Sequence, residues 1–266
     1  MLNWLAFDSL LLNGAGADYS HGRLCPHELD NTLLDMSPHQ SETVILVHGL
    51  AGSRLDMILL SRRLKRIGYA VENWGYWSLN TSIQTHAKGL AQVVQAVAAS
   101  DSVNQIHLVG HSMGAIVIRA MLANHFRDEW ASKLSRAILL APPNRGSYIA
   151  THFAPWLGWL TPSLAELSDH PDSFVNRLPN SLQLRKLEFG VIEASKDRVI
   201  RPDCVQLEGQ ADFARIEGQH GLLTWYRQTL ELVEQFLRSG KFQNEQESEN
   251  RVAATADENS TTTLTA

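Results

Sequence analysis

The sequence predicts an α/β fold: a mostly parallel sheet of about six strands flanked by helices. Three observations lead there. Strand-like and helix-like segments alternate along the chain, the strand-like runs are apolar without period-two alternation, and glycine or proline closes several of them. Sites in such sheets lie beyond the carboxyl ends of the strands, so the strand ends are where chemistry is sought.

The first strand is "TVILVHG", residues 43–49, β-branched and apolar without alternation, as expected of a strand buried on both faces, and it ends at glycine. "SRLDMILLSRRLKRIG" then sets Leu55, Ile58, Leu59, Leu64 and Ile67 at helical spacing, opens on the capping residue Ser53 and closes on Gly68. The pair recurs as "YAVENWGY" with "SIQTHAKGLAQVVQAVAAS", and again as "QIHLVG" with "SMGAIVIRAMLANHF". A fourth strand, "RAILLAPP", stops at two prolines. Between Ser147 and about Arg185 the rhythm lapses into prolines and aromatics. It returns with the strand of "FGVIEASKDRVI", a last strand and loop in "DFARIEGQ", and a C-terminal helix over "LLTWYRQTLELVEQFL". No internal repeat interrupts the pattern, which sets aside solenoids and propellers.

Composition narrows the function. The 266 residues, 44% hydrophobic, suffice for one packed α/β domain, and we expect it to span residues 1–242. A net charge of -5 and a pI near 6.1 give no basic field for nucleic acid. The two cysteines, Cys25 and Cys204, suggest neither a disulfide scaffold nor a metal site and read as inert thiols. No apolar run is long enough to span a membrane, and the N-terminus lacks a basic region before its apolar patch, which carries Asp8. The chain therefore reads as soluble and cytoplasmic, without an integral membrane segment. Residues 243–266 are polar and rich in Glu, Asn, Ser and Thr, the composition of a disordered tail.

The third strand ends at Gly110-His111-Ser112-Met113-Gly114 and runs directly into a helix. A turn this tight strains its central residue and brings neighbouring chain close, so positions two before and two after must lack a large side chain. Ser112 would then stand at the carboxyl edge of the sheet. The G-x-S-x-G pattern in this strand-to-helix setting resembles the nucleophile elbow of the α/β-hydrolase superfamily, in particular its bacterial lipase- and carboxylesterase-like members.

A serine hydroxyl is a weak nucleophile near neutral pH, so the elbow requires a histidine to take its proton and a carboxylate to orient that histidine. The resemblance implies the chain order serine, acid, histidine. His220 follows the last strand and its loop, and "GQHGLL" is similar to the loop carrying the family's histidine. His125 lies about four helical turns beyond the serine, and His152 and His170 fall in the irregular segment. Asp197 sits just past the fifth strand, and "DRVIRP" resembles the family's acid loop. Its rivals are Glu193 within the strand, Asp203 slightly late, and Asp169 and Asp172 in the irregular segment.

Attack on an acyl carbon creates an oxyanion that needs preorganised backbone donors. Met113 opens a helix with an unsatisfied N–H. The loop "VHGLAGS" is similar to the His-Gly entry of bacterial lipases and esterases, which points to the backbone of Leu50, with His48 as a loop organiser at the edge of the pocket. "LLAPPNRGS" also resembles a strand-end stretch of lipase-like members, with no catalytic role for Asn144 or Arg145. The resemblance spans roughly residues 43–238 and leaves residues 1–40 too short for two regular leading strands, hence the shortened sheet. Residues 147–185 would form a small cap or lid in which Trp156 and Trp159 shape an acyl pocket.

Together these imply a serine hydrolase cleaving carboxylic esters through an acyl-enzyme, with Ser112, Asp197 and His220 as its triad. It would need no metal or organic cofactor. Its partner would be a small-molecule or lipid ester, allowing peripheral lipid contact. Thioesterase, acyltransferase and lipid deacylase chemistry use the same parts. A non-catalytic binding protein on this fold is the alternative from another class.

Overall fold

The computed structural model describes residue 39, residues 41–179 and residues 187–242. Cys25, the N-terminal stretch and the polar tail from residue 243 lie outside the described residues, as does the far end of the irregular segment at 180–186.

Six strands form one sheet: β1 (Glu42–Val47), β2 (Ala70–Trp74), β3 (Gln105–His111), β4 (Leu134–Leu140), β5 (Glu188–Ala194) and β6 (Asp212–Ile216). Their spatial order is β2-β1-β3-β4-β5-β6, and every neighbouring pair is parallel. Each parallel step needs a crossover: α1 (Ile58–Arg66), α2 (Ile83–Ala98), and α3 (Met113–Asn124) with the short α4 (Asp128–Ala131) carry the first three, while α8 (Arg227–Ser239) follows the last strand.

Strand parity distributes the core. Val44 and Leu46 of β1, Val109 of β3, and Ile138 and Leu140 of β4 face one side, where Leu60 and Leu64 of α1 and Val233 and Phe236 of α8 cover them. Ile45 and Val47, Ile106 and Leu108, and Ala137 and Leu139 face the other side, against Ile83, Leu90 and Val94 of α2 and nearly the whole of α3. A strand buried on both faces cannot alternate with polar residues, which is why these runs are continuously apolar.

The predicted caps are present. The Ser53 hydroxyl accepts from the Leu55 N–H at 3.2 Å, while the Asp56 carboxylate accepts from the Ser53 N–H at 2.7 Å, opening a 3-10 turn that leads into α1. The C-terminal helix departs from expectation. It starts at Arg227, not near Leu222, because residues His220–Trp225 form a separate 3-10 turn and Tyr226 is extended. Tyr226 holds this break: its hydroxyl accepts from the Gln219 N–H at 3.1 Å, and its ring occupies the space a side chain on Gly218 would need.

The irregular segment contains three short helices, α5 (Tyr148–Leu157), α6 (Pro162–Glu166) and α7 (Phe174–Arg177). It is fastened to the mouth of α2, where the Ser163 hydroxyl donates to the Thr81 carbonyl at 2.7 Å and the Glu166 carboxylate accepts the Ile83 N–H at 2.5 Å. Trp156 and Trp159 do not pack onto the core. They stand 76% and 82% exposed.

β2 lies on one side of β1 and β3 on the other, so the crossovers diverge between β1 and β3. The crevice outside their carboxyl ends is where a doubly wound sheet places its ligand.

Candidate active site

Ser112 follows β3 at that crevice. Its backbone is left-handed, φ 53°, a conformation that costs a non-glycine residue roughly 1–3 kcal/mol and persists only where surroundings enforce it. They do so on both sides. The Ser112 N–H donates to the Leu140 carbonyl of β4 at 2.9 Å, and its carbonyl accepts from the Ala115 N–H at 3.0 Å. A Cβ on Gly110 would lie 2.7 Å from the Ala115 nitrogen, and one on Gly114 would lie 2.3 Å from the Val47 carbonyl oxygen. Both glycines are thus required by close approach of backbone.

The loop after β5 brings Asp197 to the same edge, 4% exposed at its side chain. One carboxylate oxygen accepts from the N–H groups of Val199 and Ile200 at 2.7 and 2.9 Å. The other accepts from His220 Nδ1 at 2.7 Å. Burial opposes the charge, but the bond and charge of His220 and the two amides outweigh it and hold the carboxyl below the usual aspartate value. The remaining ring nitrogen of His220, Nε2, is 2.9 Å from Ser112 Oγ. Since Nδ1 donates to a carboxylate, Nε2 is the acceptor of the serine hydroxyl.

The other candidate acids and bases are elsewhere. Glu193 is buried in β5 and accepts from Nε and Nη2 of Arg215, each at 3.0 Å. Asp203 lies in the 3-10 turn Pro202–Cys204 beside Arg201. His125 caps the far end of α3, His152 stacks edge-on against Phe153, and His170 lies near Asp172.

The loop after β1 packs against the serine, since a Cβ on Gly49 would come within 3.1 Å of the Ser112 Cβ. It is a tight turn closed by Gly52 N–H to the Gly49 carbonyl at 3.2 Å, with Ala51 at φ 55°. His48 donates from Nδ1 to that same carbonyl at 3.0 Å and stacks on Tyr76 at 4.2 Å, whose hydroxyl donates to the His48 carbonyl at 2.6 Å. Burial pushes the His48 imidazole below its ordinary value. Leu50 sits in this turn and Met113 opens α3, and neither amide donates to a backbone carbonyl among the described residues.

Sequence reasoning left Asn144, Arg119 and His111 without roles. Arg119 is fully buried on α3 and donates to the Asn144 carbonyl at 2.9 Å and to the Pro179 carbonyl at 2.9 Å. Burial pushes its guanidinium down to about 10. Asn144 in turn donates to the Val205 carbonyl at 2.5 Å, and Ser147 Oγ to the Val199 carbonyl at 2.8 Å. The proline-rich stretch therefore clamps the acid loop. Its pattern gave no sign of this, because the partners are carbonyls distant in sequence.

Residues 44–239 match the model of the alpha/beta hydrolase family. The chain belongs to that family. Its fold is also that of several solved structures at low identity. A mature Bacillus licheniformis lipase aligns at TM-score 0.53 and 16% identity, over 67% of this chain and 85% of that one. Lipase B of Aspergillus fumigatus aligns at 0.58 and 18%, over 73% and 51%. A Pyrococcus furiosus esterase aligns at 0.54 and 17%, over 76% and 84%. No curated protein matches the chain. In this alpha/beta hydrolase, no group of three or more His, Cys, Asp or Glu among the described residues is arranged to hold a metal ion. No described helix is long and apolar enough to cross a membrane.

Proposed function

We propose that this alpha/beta hydrolase is a serine esterase of the lipase or carboxylesterase kind. The observation that carries the reading is the single imidazole of His220, 2.7 Å from Asp197 and 2.9 Å from Ser112. His220 accepts the hydroxyl proton as Ser112 Oγ bonds to the ester carbonyl carbon, and the carbonyl electrons move onto oxygen. The amides of Leu50 and Met113 hold that oxyanion, assisted by the positive end of α3. His220 then gives its proton to the alcohol oxygen as the carbon–oxygen bond breaks. Water, deprotonated by His220, releases the acid from the acyl-enzyme in the reverse sense. Asp197 keeps the proton on Nδ1 and stabilises the imidazolium.

Residues 147–185 serve as the cap of a single domain. An acyl or lipid ester suits it: Phe153, Trp156, Leu157, Trp159 and Leu160 are exposed, and no charged residue occurs from Gly146 to Ala165. Such a surface also supports peripheral contact with lipid, where indole rings favour the interface.

Thioester cleavage and acyl transfer would use the same groups. A panel of esters, thioesters and phospholipids, assayed with Ser112→Ala as control, tests the reading. Turnover of esters that disappears in the variant is expected. Turnover of no acyl compound, or turnover that survives in Ser112→Ala, overturns it.

A further inference from the structure

We infer that His111, the residue before the nucleophile, is a positioning residue that holds the His220 loop over Ser112. The inference rests on the reading of His220 as the base.

His111 closes β3 and is only 7% exposed. Its Nε2 lies 3.0 Å from the backbone carbonyl of His220, and the two rings are 5.2 Å apart, tilted by 43°. A carbonyl can only accept, so the His111 proton resides on Nε2. The ring's other nitrogen faces the turn after β1, where a Cβ on Gly49 would meet it at 3.4 Å. Burial, and then the neighbouring His220, push the imidazole down to about 4, so it stays a neutral donor across the neutral range.

The geometry needs such a group. His220 opens a 3-10 turn, Gly221 has nothing within 4 Å of where its Cβ would be, and the bonds to Asp197 and Ser112 hold the ring and not the backbone. The flanking backbone is held at Gln219 by the Tyr226 hydroxyl, 3.1 Å away, and at Gly218, whose carbonyl accepts from the Lys196 N–H at 2.9 Å, whereas the carbonyl of His220 itself is held by His111. One bond from β3, the strand that also carries Ser112, sets the distance between base and nucleophile at its root. Small errors in that distance are expensive, since about 1 Å of misplacement can cost 100-fold in rate.

Two variants test this. His111→Leu keeps an apolar group of similar bulk and deletes the donor, whereas His111→Gln returns an N–H near the position of Nε2. In the leucine variant, kcat for a p-nitrophenyl ester should fall by about 10- to 100-fold with KM nearly unchanged, and glutamine should recover most of the loss. The His220 imidazole resonances, read by nitrogen-15 NMR in ¹⁵N-histidine-labelled protein, should move in the leucine variant and return in the glutamine one. Thermal melts confirm that both variants are folded; if leucine does not fold, wild type against glutamine is compared with His111→Asn, whose shorter amide cannot reach and should not rescue. A folded donorless variant with wild-type kcat and unmoved His220 resonances overturns the role. If the wild type itself turns over no ester, the function reading fails, and the resonance shifts still decide whether His111 positions His220.

Discussion

Gly114, in the first turn of α3, and Val47, at the end of β1, meet so closely that a Cβ on the glycine would lie 2.3 Å from the valine carbonyl oxygen. This contact lets the helix start directly behind Ser112 and beside the turn that holds Leu50. Gly114→Ala should therefore destabilise the protein by roughly 2–4 kcal/mol, lowering the thermal midpoint by about 5–15 °C, because backbone must move on one side or the other. Gly221→Ala is the internal comparison. Nothing lies within 4 Å of its added methyl, and its stability should stay within about 0.5 kcal/mol of wild type.

Asp197 makes a second prediction. Asp197→Asn keeps the shape, but its one oxygen is taken by the Val199 and Ile200 N–H groups and its NH2 faces His220 Nδ1, which favours the wrong tautomer, so kcat should drop on the order of a thousandfold or more with the melt little changed in shape. Its acid dependence follows from the lowered folded value. The ionised carboxylate stabilises the fold fully above the ordinary aspartate range, and that contribution is lost as pH falls through the lower folded value. Wild type should then lose more stability than Asp197→Asn on going from about pH 6 to about pH 3, measured by thermal or urea unfolding.

The tryptophans of the cap carry a third. Standing in solvent, Trp156 and Trp159 contribute little burial, so their double change to alanine should leave the thermal midpoint nearly unchanged. Preference across a p-nitrophenyl ester series, or turnover at a lipid interface, should shift toward shorter or more soluble substrates. An unaltered series would remove these residues from the acyl site.

The C-terminus gives a fourth. Phe242 is buried against Phe236, their rings 4.7 Å apart, and its N–H donates to Asp212 at 2.7 Å. A chain ending at Phe242 should keep full stability and turnover. One ending at Ser239 should lose about 3–5 kcal/mol, as for deletion of a buried phenylalanine.

The sheet was readable because its strands are buried on both faces and so leave unbroken apolar runs, as in "TVILVHG" and "RAILLAPP". The setting of Ser112 was readable for the same reason, since a serine flanked by glycines at the junction of a buried strand and a helix marks a strained, crowded turn. Asp197 and His220 lie where the loops after β5 and β6 were expected to carry them. The start of α8 was not readable: helix-forming Leu222 and Leu223 belong to a 3-10 turn whose break depends on the Tyr226 hydroxyl and ring, a contact with no periodic signal. His111, Arg119 and Asn144 were silent for a similar reason. Each binds a backbone carbonyl far along the chain, and a carbonyl leaves no mark in the sequence.

The proposed function requires Ser112 to be an activated nucleophile. Labelling of the folded protein with a fluorophosphonate, followed by peptide mass spectrometry, tests it most directly. One adduct on Ser112, absent from Ser112→Ala and strongly slowed in His220→Ala, is the predicted result. No adduct on the intact protein, or an equal adduct in Ser112→Ala, would contradict it.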